Sequence, residues 1–586
     1  METRFVRPLR THKAVTEKRQ RWFGERQPRE RPAGGHTHDL LHTTLTQLSP
    51  VSCTQARAAA SAATTTRLTT TTRRRALPPR RSAPKALRPT TRTRVISPPN
   101  EETPTVTAPL NPLDRAPDAL PSAFLPPADP WTDPKWAGVQ WTVYRGVAYD
   151  LTGFLRHHPA GAWLVRLGLG RDATALFESY HLRPEVAAAR LRRLPVLEGF
   201  PVHAVPQSPR PNDSDLYNTL RARVRAEVFK GSESQGTHRS GAGPAIAAVL
   251  GAAVGAYALY ALSPGAATGA LLGLAGAWIG LTVQHCGNHG AMSTTPWVNV
   301  ALGAGDDLIG GSSLAWQYHH QVSHHIHCND DAFDEDVFSS FPLLRFDARQ
   351  PRAWYHAYQH VYMWALFPFM QLAFQAGDWS AILQGRTAGA TMHGASVGQR
   401  AAGAAGKLAH YFLLIGVPAL THGWAATAAG AAAFVAVQGL VLATTFAVSH
   451  NVPETKPSAD GLSPASAPLL TDVADRDWGL QQVATSANYG GAVANFMTGG
   501  LSLQVEHHLF PAVFFGHYPA ISAIVADECA KRGIPYAQYP TLWATLKQFV
   551  RYMRDVGRAD EMAVVPCGSL VGGEALAARA AQLARF

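Results

Sequence analysis

The stretch "LSLQVEHHLFP" (residues 501–511) places two adjacent histidines, His507 and His508, three and four positions after a glutamine, Gln504. Residues at these spacings lie on one face of a helix, with about 5–6 Å between their Cβ atoms. An amide and two imidazoles would then point to one place, which is typical of a metal site. Further ligands must come from other parts of the chain, and the amide has to be explained.

Two more histidine clusters have helical spacing: His285 and His289 in "QHCGNHG", and His320, His324 and His325 in "WQYHHQVSHHIHCNDD". Imidazole suits iron, zinc, copper and nickel. The seven clustered imidazoles exceed what one ion needs, since a zinc ion takes four ligands. The three clusters together therefore predict a site for two metal ions.

An acidic run follows the second cluster and contains Asp330, Asp331, Asp334, Glu335 and Asp336. Carboxylates commonly accept the outer ring N–H of a ligating histidine. A solvated acidic loop is the alternative interpretation. Four other histidines have no partner at a ligand spacing that the clusters need and are assigned no role: His319, His327, His360 and His517.

Long apolar stretches flank the clusters. No charged residue occurs from 240 to 305, an interval that contains apolar stretches at about 244–262 and 266–284. Each is long enough to cross a hydrocarbon core of about 30 Å. A second charge-free window, 408–453, is interrupted near residue 421 and predicts another helical pair. The sequence thus predicts four transmembrane helices.

Two hairpins leave the intervening polar segments, and with them the histidine clusters, on one side of the membrane. His450 ends the fourth predicted membrane helix at a depth that suits one further ligand. The apolar segment 354–374 carries His356, Gln359 and His360 and is predicted to lie along the membrane surface.

Charge and cysteine content argue against three classes of protein. The chain of 586 residues has a net charge of +12, but residues 1–100 carry +16 and the remainder carries −4. Nucleic-acid binding by the folded part is therefore not expected. The five cysteines are scattered without a CxxC pair, which argues against a disulfide framework and a structural zinc ribbon.

Composition divides the chain into a disordered basic region 1–125, a small domain 126–204, an amphipathic helix with a linker 205–242, a membrane-helix domain 243–550 and a tail 551–586. The amphipathic helix is expected at 213–230. Residues 50–96 are basic, hydroxylated and free of acid, which is typical of an organelle transit peptide. A disordered linker and an over-extended gene start are the alternatives.

The small domain contains "HHPAGAWLVRLGLGRDATALFESYH", which is similar to the cytochrome b5 haem motif of HPGG, GRDAT and a second histidine. With the three histidine boxes, HxxxH, HxxxHH and QxxHH, the chain resembles the front-end acyl-lipid desaturases with a fused cytochrome b5 domain. These belong to the membrane fatty acid desaturases, and the likeness covers about 126–550. The first two boxes look more like the green-algal delta-4 and delta-5 members.

The resemblance implies a mainly α fold: an integral-membrane four-helix histidine-box domain preceded by a small α+β cytochrome b5 domain and a disordered N-terminal region. It implies haem b on the axial ligands His158 and His181. It also implies two non-haem irons on the box histidines, with Gln504 as a weak or indirect ligand that marks the front-end branch. His450 is the further candidate.

The implied reaction uses O₂ to insert a cis double bond into a lipid-linked acyl chain, on the carboxyl side of an existing one. Electrons would come from NAD(P)H through a separate reductase, such as cytochrome b5 reductase, and then through the fused domain. The membrane would be that of the chloroplast or the endoplasmic reticulum. Alternatives are a sphingoid-base desaturase or acyl hydroxylase on the same fold, and a non-catalytic membrane b5-type electron carrier.

Two residues depart from the family pattern. The usual HPGG is HPAG here, with Ala160 in place of a glycine, which is harmless unless that position needs a positive φ. Cys286 follows His285 where the first box usually has aspartate, so a carboxylate that could support the box is missing.

Overall fold

The computed structural model describes residues 129–456 and 477–560, and these form part of one compact unit. The predicted disordered region with its transit-peptide segment, and the tail beyond residue 560, lie outside the described residues. The described chain is mainly helical, as predicted, with four short strands.

The small domain begins with an antiparallel strand pair, β1 (Trp141–Tyr144) and β2 (Val147–Asp150). The two residues between them, Arg145 and Gly146, both have positive φ angles, 47° and 77°. Two consecutive positive φ angles are what a tight two-residue hairpin requires. Three helices complete the domain: α1 (Ala162–Arg166), α2 (Thr174–Tyr180) and α3 (Pro184–Leu191).

The predicted amphipathic helix forms as α4 (Asp215–Arg223) and continues as a π-helical turn to Val228. Its N-cap is Ser214, whose hydroxyl accepts a hydrogen bond from the backbone N–H of Tyr217. The apolar face of α4 is fully buried through Tyr217 and Leu220, which belong to the largest apolar cluster of the protein.

The first apolar pair comprises α5 (Gly243–Leu262) and α6 (Ala266–Ile279), which continues through a π-helical turn, Gly280–Gln284, into α7 (His285–Asn288). Short helices follow: α8 (Pro296–Gly303), α9 (Gly305–Leu308), α10 (Ser313–Trp316), α11 (His325–His327) and α12 (Glu335–Phe338). The segment predicted to lie on the membrane surface forms α13 (Gln359–Leu366) and the start of α14 (Met370–Gln384).

The second apolar pair comprises α15 (Val397–Tyr411), which continues through a π-helical turn into α16 (Val417–His422), and α17 (Trp424–Val448). In the described residues, four helices are long and apolar enough to cross a membrane, as predicted: Thr237–Leu262, Ala266–Asn288, Val397–His422 and Trp424–Val448. Helices α6 and α17 cross where Gly269 meets Gly430, and a Cβ on Gly269 would lie 2.0 Å from the Gly430 oxygen. Small residues allow this close approach of two backbones.

The third long helix begins at Val397, well before the charge-free window, and contains Lys407. This lysine is fully buried, and its Nζ donates hydrogen bonds to Asp378 Oδ2 and to the Gly310 carbonyl, both at 2.9 Å. A buried cation is tolerated when it is paired and hydrogen-bonded. The helix therefore extends 11 residues upstream of the charge-free window that predicted it, because a paired lysine can lie inside it.

The last part of the chain comprises α18 (Trp478–Ala484), β3 (Asn488–Tyr489), α19 (Ala492–Met497), α20 (Gln504–Leu509), α21 (Tyr518–Arg532), β4 (Gln538–Tyr539) and α22 (Leu542–Arg558). Strands β3 and β4 pair in parallel. Helix α22 continues past residue 550, and Met553 and Val556 are buried in an apolar cluster with α13 residues.

Candidate metal centres

Each histidine box lies on a helical segment close to the end of a long apolar helix or packed beside one. The first box is on α7, directly after the π-helical turn of α6. The second begins on a π-helical segment, Gln317–His324, and ends on α11. Such turns are rare and occur often at functional sites. The third box lies on α20, so Gln504, His507 and His508 share a face.

The structure brings eight histidines together, which we call the imidazole cage: His285, His289, His320, His324, His325, His450, His507 and His508. None of them is more than 9% exposed. All seven box histidines predicted from the sequence are in it, and so is His450. The haem candidates His158 and His181 lie apart from the cage, in the small domain.

The first group of the cage comprises His285, His289, His320 and His507, whose closest ring nitrogens all lie within 4.8 Å of one another. The Nε2 atoms of His285 and His320 are 3.1 Å apart. His325 adjoins this group, with its Nε2 3.1 Å from that of His320 and 3.0 Å from that of His507. The nitrogens therefore converge on one small volume.

The second group comprises His324, Cys328, His450 and His508, again within 4.8 Å. His325 joins the two groups, because its ring stacks on that of His508 at a centroid distance of 4.4 Å. Cys328 Sγ lies 3.5 Å from His450 Nδ1, the nitrogen that also contacts the Thr485 carbonyl. The thiol thus approaches the outer side of that ring.

The outer nitrogens of several cage histidines are held by partners from other elements. His324 Nδ1 donates to the Asp334 carboxylate at 3.1 Å, and His508 Nδ1 donates to Gln482 Oε1 at 2.8 Å. His450 Nδ1 donates to the Thr485 carbonyl at 2.9 Å. A ring that donates from Nδ1 keeps a lone pair on Nε2. These contacts therefore turn Nε2 of each ring inward, where that of His450 accepts the N–H of the Gln504 amide.

Most of the cage favours neutral imidazole, which is the form that binds metals. His324 is the exception, because burial is outweighed there by the Asp334 and Asp336 carboxylates, which raise its pKa. Burial, followed by the charge of neighbouring imidazoles, holds the pKa of five of these histidines well below the ordinary value: His289, His320, His325, His507 and His508.

Four of the five acidic residues in the run after the second box are buried, and only Asp336 is partly exposed, so the alternative of a solvated loop is wrong. Asp334 is 1% exposed and Asp331 is 8% exposed. Its carboxylates have defined partners, since Asp334 orients His324 and Asp331 pairs with Arg349 at 2.7 Å. His319, to which the sequence assigned no role, pairs with Asp336 beside the cage.

Gln504 contacts the second group through one atom of its amide. Its Nε2 lies 2.8 Å from His450 Nε2, and its Oε1 is buried with no hydrogen-bond partner. The amide therefore lies at the inner side of His450. There its oxygen can coordinate a metal ion weakly or accept a hydrogen bond from a group bound to one.

The residues of the cage fit a pair of metal ions. The Nε2 atoms of His289 and His508 are buried with no hydrogen-bond partner, although a buried polar atom is normally satisfied. A cation coordinated by several ring nitrogens would satisfy these two atoms. It would also offset the repulsion between lone pairs that face one another. Neutral imidazole donors suit iron.

In the small domain, His158 and His181 are separated by a distance that suits the two axial ligands of a haem iron. The rings of His158 and His181 have a centroid distance of 6.0 Å, which leaves room for one metal ion, since metal–imidazole bonds are about 2 Å long. His181 Nδ1 donates to the Phe177 carbonyl at 2.7 Å, which leaves its Nε2 free. Two imidazole ligands saturate a haem iron axially, which suits electron transfer.

The two departures from the family pattern have structural outcomes. Ala160 does not have a positive φ, whereas the next residue, Gly161, has φ 97°. Of the two glycines in HPGG, only the second needs a positive φ, and this chain has glycine at that position. Cys286 is buried, and its Sγ lies 3.4 Å from the Gly499 carbonyl, so it fills a packing position beside His285.

A cavity lies against the cage. Its apolar wall includes Ile309, Trp316, Phe374, Leu442, Phe446 and Leu501, and its polar wall includes His320, His324, His450 and Gln504. It could hold an aliphatic chain next to the metal ligands.

Some residues of the site were not found from the sequence. Gln482 belongs to a stretch that resembles the family, but no spacing links it to His508. Tyr180 lies in the small domain, and its hydroxyl is 2.7 Å from His289 Nδ1. Cys328 could have been found, because it follows His324 at an i, i+4 spacing.

Two family models match the chain. The model described as "Fatty acid desaturase" matches residues 246–540, and the model described as "Cytochrome b5-like Heme/Steroid binding domain" matches residues 137–208.

Several curated proteins are similar to this chain over most of their length. The "Acyl-lipid (7-3)-desaturase, chloroplastic" of Chlamydomonas reinhardtii is 62% identical over 459 residues, which are 78% of this chain and 89% of that protein. The "Acyl-lipid (7-3)-desaturase" of Rebecca salina is 33% identical, over 71% of this chain and 90% of that protein. The "Acyl-lipid (8-3)-desaturase" of Physcomitrium patens is 30% identical, over 71% and 88%.

We expect Asp334→Asn to weaken binding of ferrous iron about 10- to 100-fold, as is typical when the outer partner of a ligating histidine is changed. Without the carboxylate, His324 is no longer held by a charged acceptor at Nδ1. Asparagine caps a helix as well as aspartate does, so α12 should persist. Chelator competition on the purified protein measures the affinity.

Asp477→Asn is the matched control, because Asp477 is an exposed N-cap of α18 and is not a neighbour of the cage. Equal iron affinity in the two variants would contradict the role of Asp334.

Proposed function

This chain belongs to the fatty acid desaturase family and carries a fused cytochrome b5 domain, and we propose that it is a front-end enzyme. It is an acyl-lipid desaturase, an oxidoreductase of the membrane that contains haem and non-haem di-iron. The proposed reaction inserts a cis double bond into a lipid-linked unsaturated acyl chain, on the carboxyl side of an existing double bond. The fused b5 domain and the Gln504 box support the front-end assignment.

We assign the ligands from the geometry. His158 and His181 hold the haem. One iron is held among His285, His289, His320, His325 and His507, and the other among His324, His450 and His508. The convergence of eight buried imidazoles with their Nε2 atoms inward carries this assignment. Gln504 contributes its amide oxygen as a weak or indirect ligand.

When bound, the iron pair supplies the O₂-dependent oxidising power that an unactivated methylene requires, since such a group has no acidic proton for a side chain to remove. The residues of the chain position the substrate and exclude water. Leu442 and Phe446 line the cavity beside His450 and present an apolar surface to a methylene run. His324 and His450 lie in the same wall, so the acyl chain would pass directly beside them.

The proposed electron supply is an NAD(P)H-dependent reductase, such as cytochrome b5 reductase, that reduces the b5 domain. Two electrons are needed for each double bond. The b5 domain packs on the side of the cage, where Leu167 and Leu176 share an apolar cluster with Tyr318 of the second-box segment. The donor domain is therefore next to the acceptor site in the same chain.

Lipid analysis of a host that expresses residues from about 110 onward, and is fed defined unsaturated fatty acids, tests the activity. We expect the expressed chain to form a product with one additional cis double bond. His507→Ala should abolish this product, because it removes a proposed iron ligand. His517→Ala is the control and should keep activity, since His517 Nε2 donates to the Thr237 carbonyl outside the cage.

The same analysis tests the regiochemistry. We propose that the position of the new bond is the one made by the Chlamydomonas reinhardtii relative. A hydroxylated product or a desaturated sphingoid base would replace the proposed reaction by one of its alternatives on this fold. Unchanged lipids with retained haem would favour a b5-type electron carrier.

Gln504→His should retain activity at a several-fold lower level. An imidazole there can offer a nitrogen near His450, but it lacks the combined N–H and oxygen of the amide. The fraction of substrate converted, compared with His507→Ala in the same host, measures the effect. Complete inactivity of Gln504→His would show that the amide itself is required.

We further propose a multi-pass protein of the chloroplast membrane, with the two hairpins leaving the cage on one side. The basic segment 50–96 supports this, together with the word "chloroplastic" in the name of one relative. A fluorescent fusion of residues 1–110 in an algal cell should enter the chloroplast. Retention of the complete tagged chain in the endoplasmic reticulum would overturn the proposal.

A further inference from the structure

One residue of the b5 domain reaches the imidazole cage. Tyr180 is the last residue of α2 and directly precedes His181, the proposed haem ligand. Its hydroxyl lies 2.7 Å from His289 Nδ1 and 2.8 Å from Gln321 Oε1. The centroids of the Tyr180 and His289 rings are 6.1 Å apart, with 25° between the ring planes.

The direction of each hydrogen bond in this contact is determined. Gln321 Nε2 donates to the Asn288 carbonyl at 2.9 Å, which turns Oε1 of the same amide toward Tyr180. An amide oxygen only accepts, so the one proton of the Tyr180 hydroxyl goes to Gln321. The hydroxyl oxygen must then accept the N–H of His289 Nδ1.

This order fixes the tautomer of His289. A neutral imidazole has one N–H, and when Nδ1 holds it, Nε2 has a lone pair. His289 Nε2 is buried, belongs to the cage and has no hydrogen-bond partner. The Tyr180 hydroxyl therefore keeps the lone pair on Nε2, the nitrogen that faces the other histidines of the first group.

The contact depends on how the b5 domain is docked. Leu164 and Leu176 pack with Val322 of the second-box segment. Arg166 Nη1 also donates to the Gly394 carbonyl at 3.1 Å, which ties α1 to the loop before α15. These contacts bring α2, and with it Tyr180, to the edge of the cage.

We propose that Tyr180 is a positioning residue of the non-haem iron site, so that docking of the b5 domain completes the outer shell of His289. The inference rests on the proposed assignment of His289 as an iron ligand. No bond to Tyr180 forms or breaks in the reaction; its hydroxyl only determines which nitrogen of His289 is free.

The test uses the full chain with Tyr180→Phe, which keeps the ring and removes the hydroxyl. Resistance of ferrous iron to a chelator is measured anaerobically, with haem content from the absorption spectrum. We expect about 10- to 100-fold weaker iron retention, the usual effect of losing an outer partner of a ligating histidine. Haem content should stay the same. Mössbauer spectra should show one of the two ferrous sites changed more than the other.

Tyr144→Phe is the matched control, since it removes a hydroxyl of the same domain that bonds to Glu178 at 3.1 Å, away from the cage. Gln321→Leu is a second test, because it frees the Tyr180 hydroxyl to donate to Nδ1, which would place the histidine proton on Nε2. It should also weaken iron retention, and the double variant should be no worse than Tyr180→Phe alone.

His289→Ala distinguishes a failure of the positioning role of Tyr180 from a failure of the assignment of His289 as an iron ligand. If it loses iron while Tyr180→Phe retains iron as well as Tyr144→Phe does, the positioning role is wrong and the ligand assignment holds. If His289→Ala retains both irons, the assignment itself is wrong. Loss of haem together with iron in Tyr180→Phe would overturn the positioning role in favour of a general packing role.

Discussion

Eight buried imidazoles have to present unprotonated nitrogens to a common centre, and the arrangement of the surrounding elements follows from this requirement. A neutral imidazole keeps one N–H, which must find an acceptor on its outer side, because an unsatisfied buried donor costs about 1–3 kcal/mol. Nδ1 of His325 is buried without a hydrogen-bond partner, but four of the rings have defined outer acceptors: Asp334, Gln482, Thr485 and Tyr180. They lie in different parts of the chain, so the cage fixes those parts relative to one another.

The apolar helices supply the frame that makes this arrangement rigid. Helix α6 packs directly on α17 through Gly269 and Gly430, and each of these long helices leads to a cage residue at its end. Gln438 in α17 is fully buried and donates to the Ile309 carbonyl at 3.0 Å, which anchors the loop before the second box. The cage histidines are thus supported by helices that are long and apolar enough to cross a membrane.

Much of the site could be predicted because its ligands follow helical spacing. The i, i+3 and i, i+4 patterns placed seven histidines on three faces, and the position of His450 at a helix end placed the eighth. The outer partners had no such pattern: Gln482 and Tyr180 meet their histidines only through tertiary packing. The start of the third long helix was missed because Lys407 is neutralised by Asp378, which is distant in sequence.

The docked b5 domain has consequences beyond proximity. A flexible tether alone raises the effective concentration of a donor domain to the millimolar range, and it does so in any orientation. Here apolar packing, Arg166 and the Tyr180 hydroxyl hold the domain in one orientation. In that orientation His181, the proposed haem ligand, is one peptide bond from a residue that touches His289, a proposed iron ligand. If His289 binds iron as proposed, the geometry of the electron acceptor depends on the docked position of its donor domain.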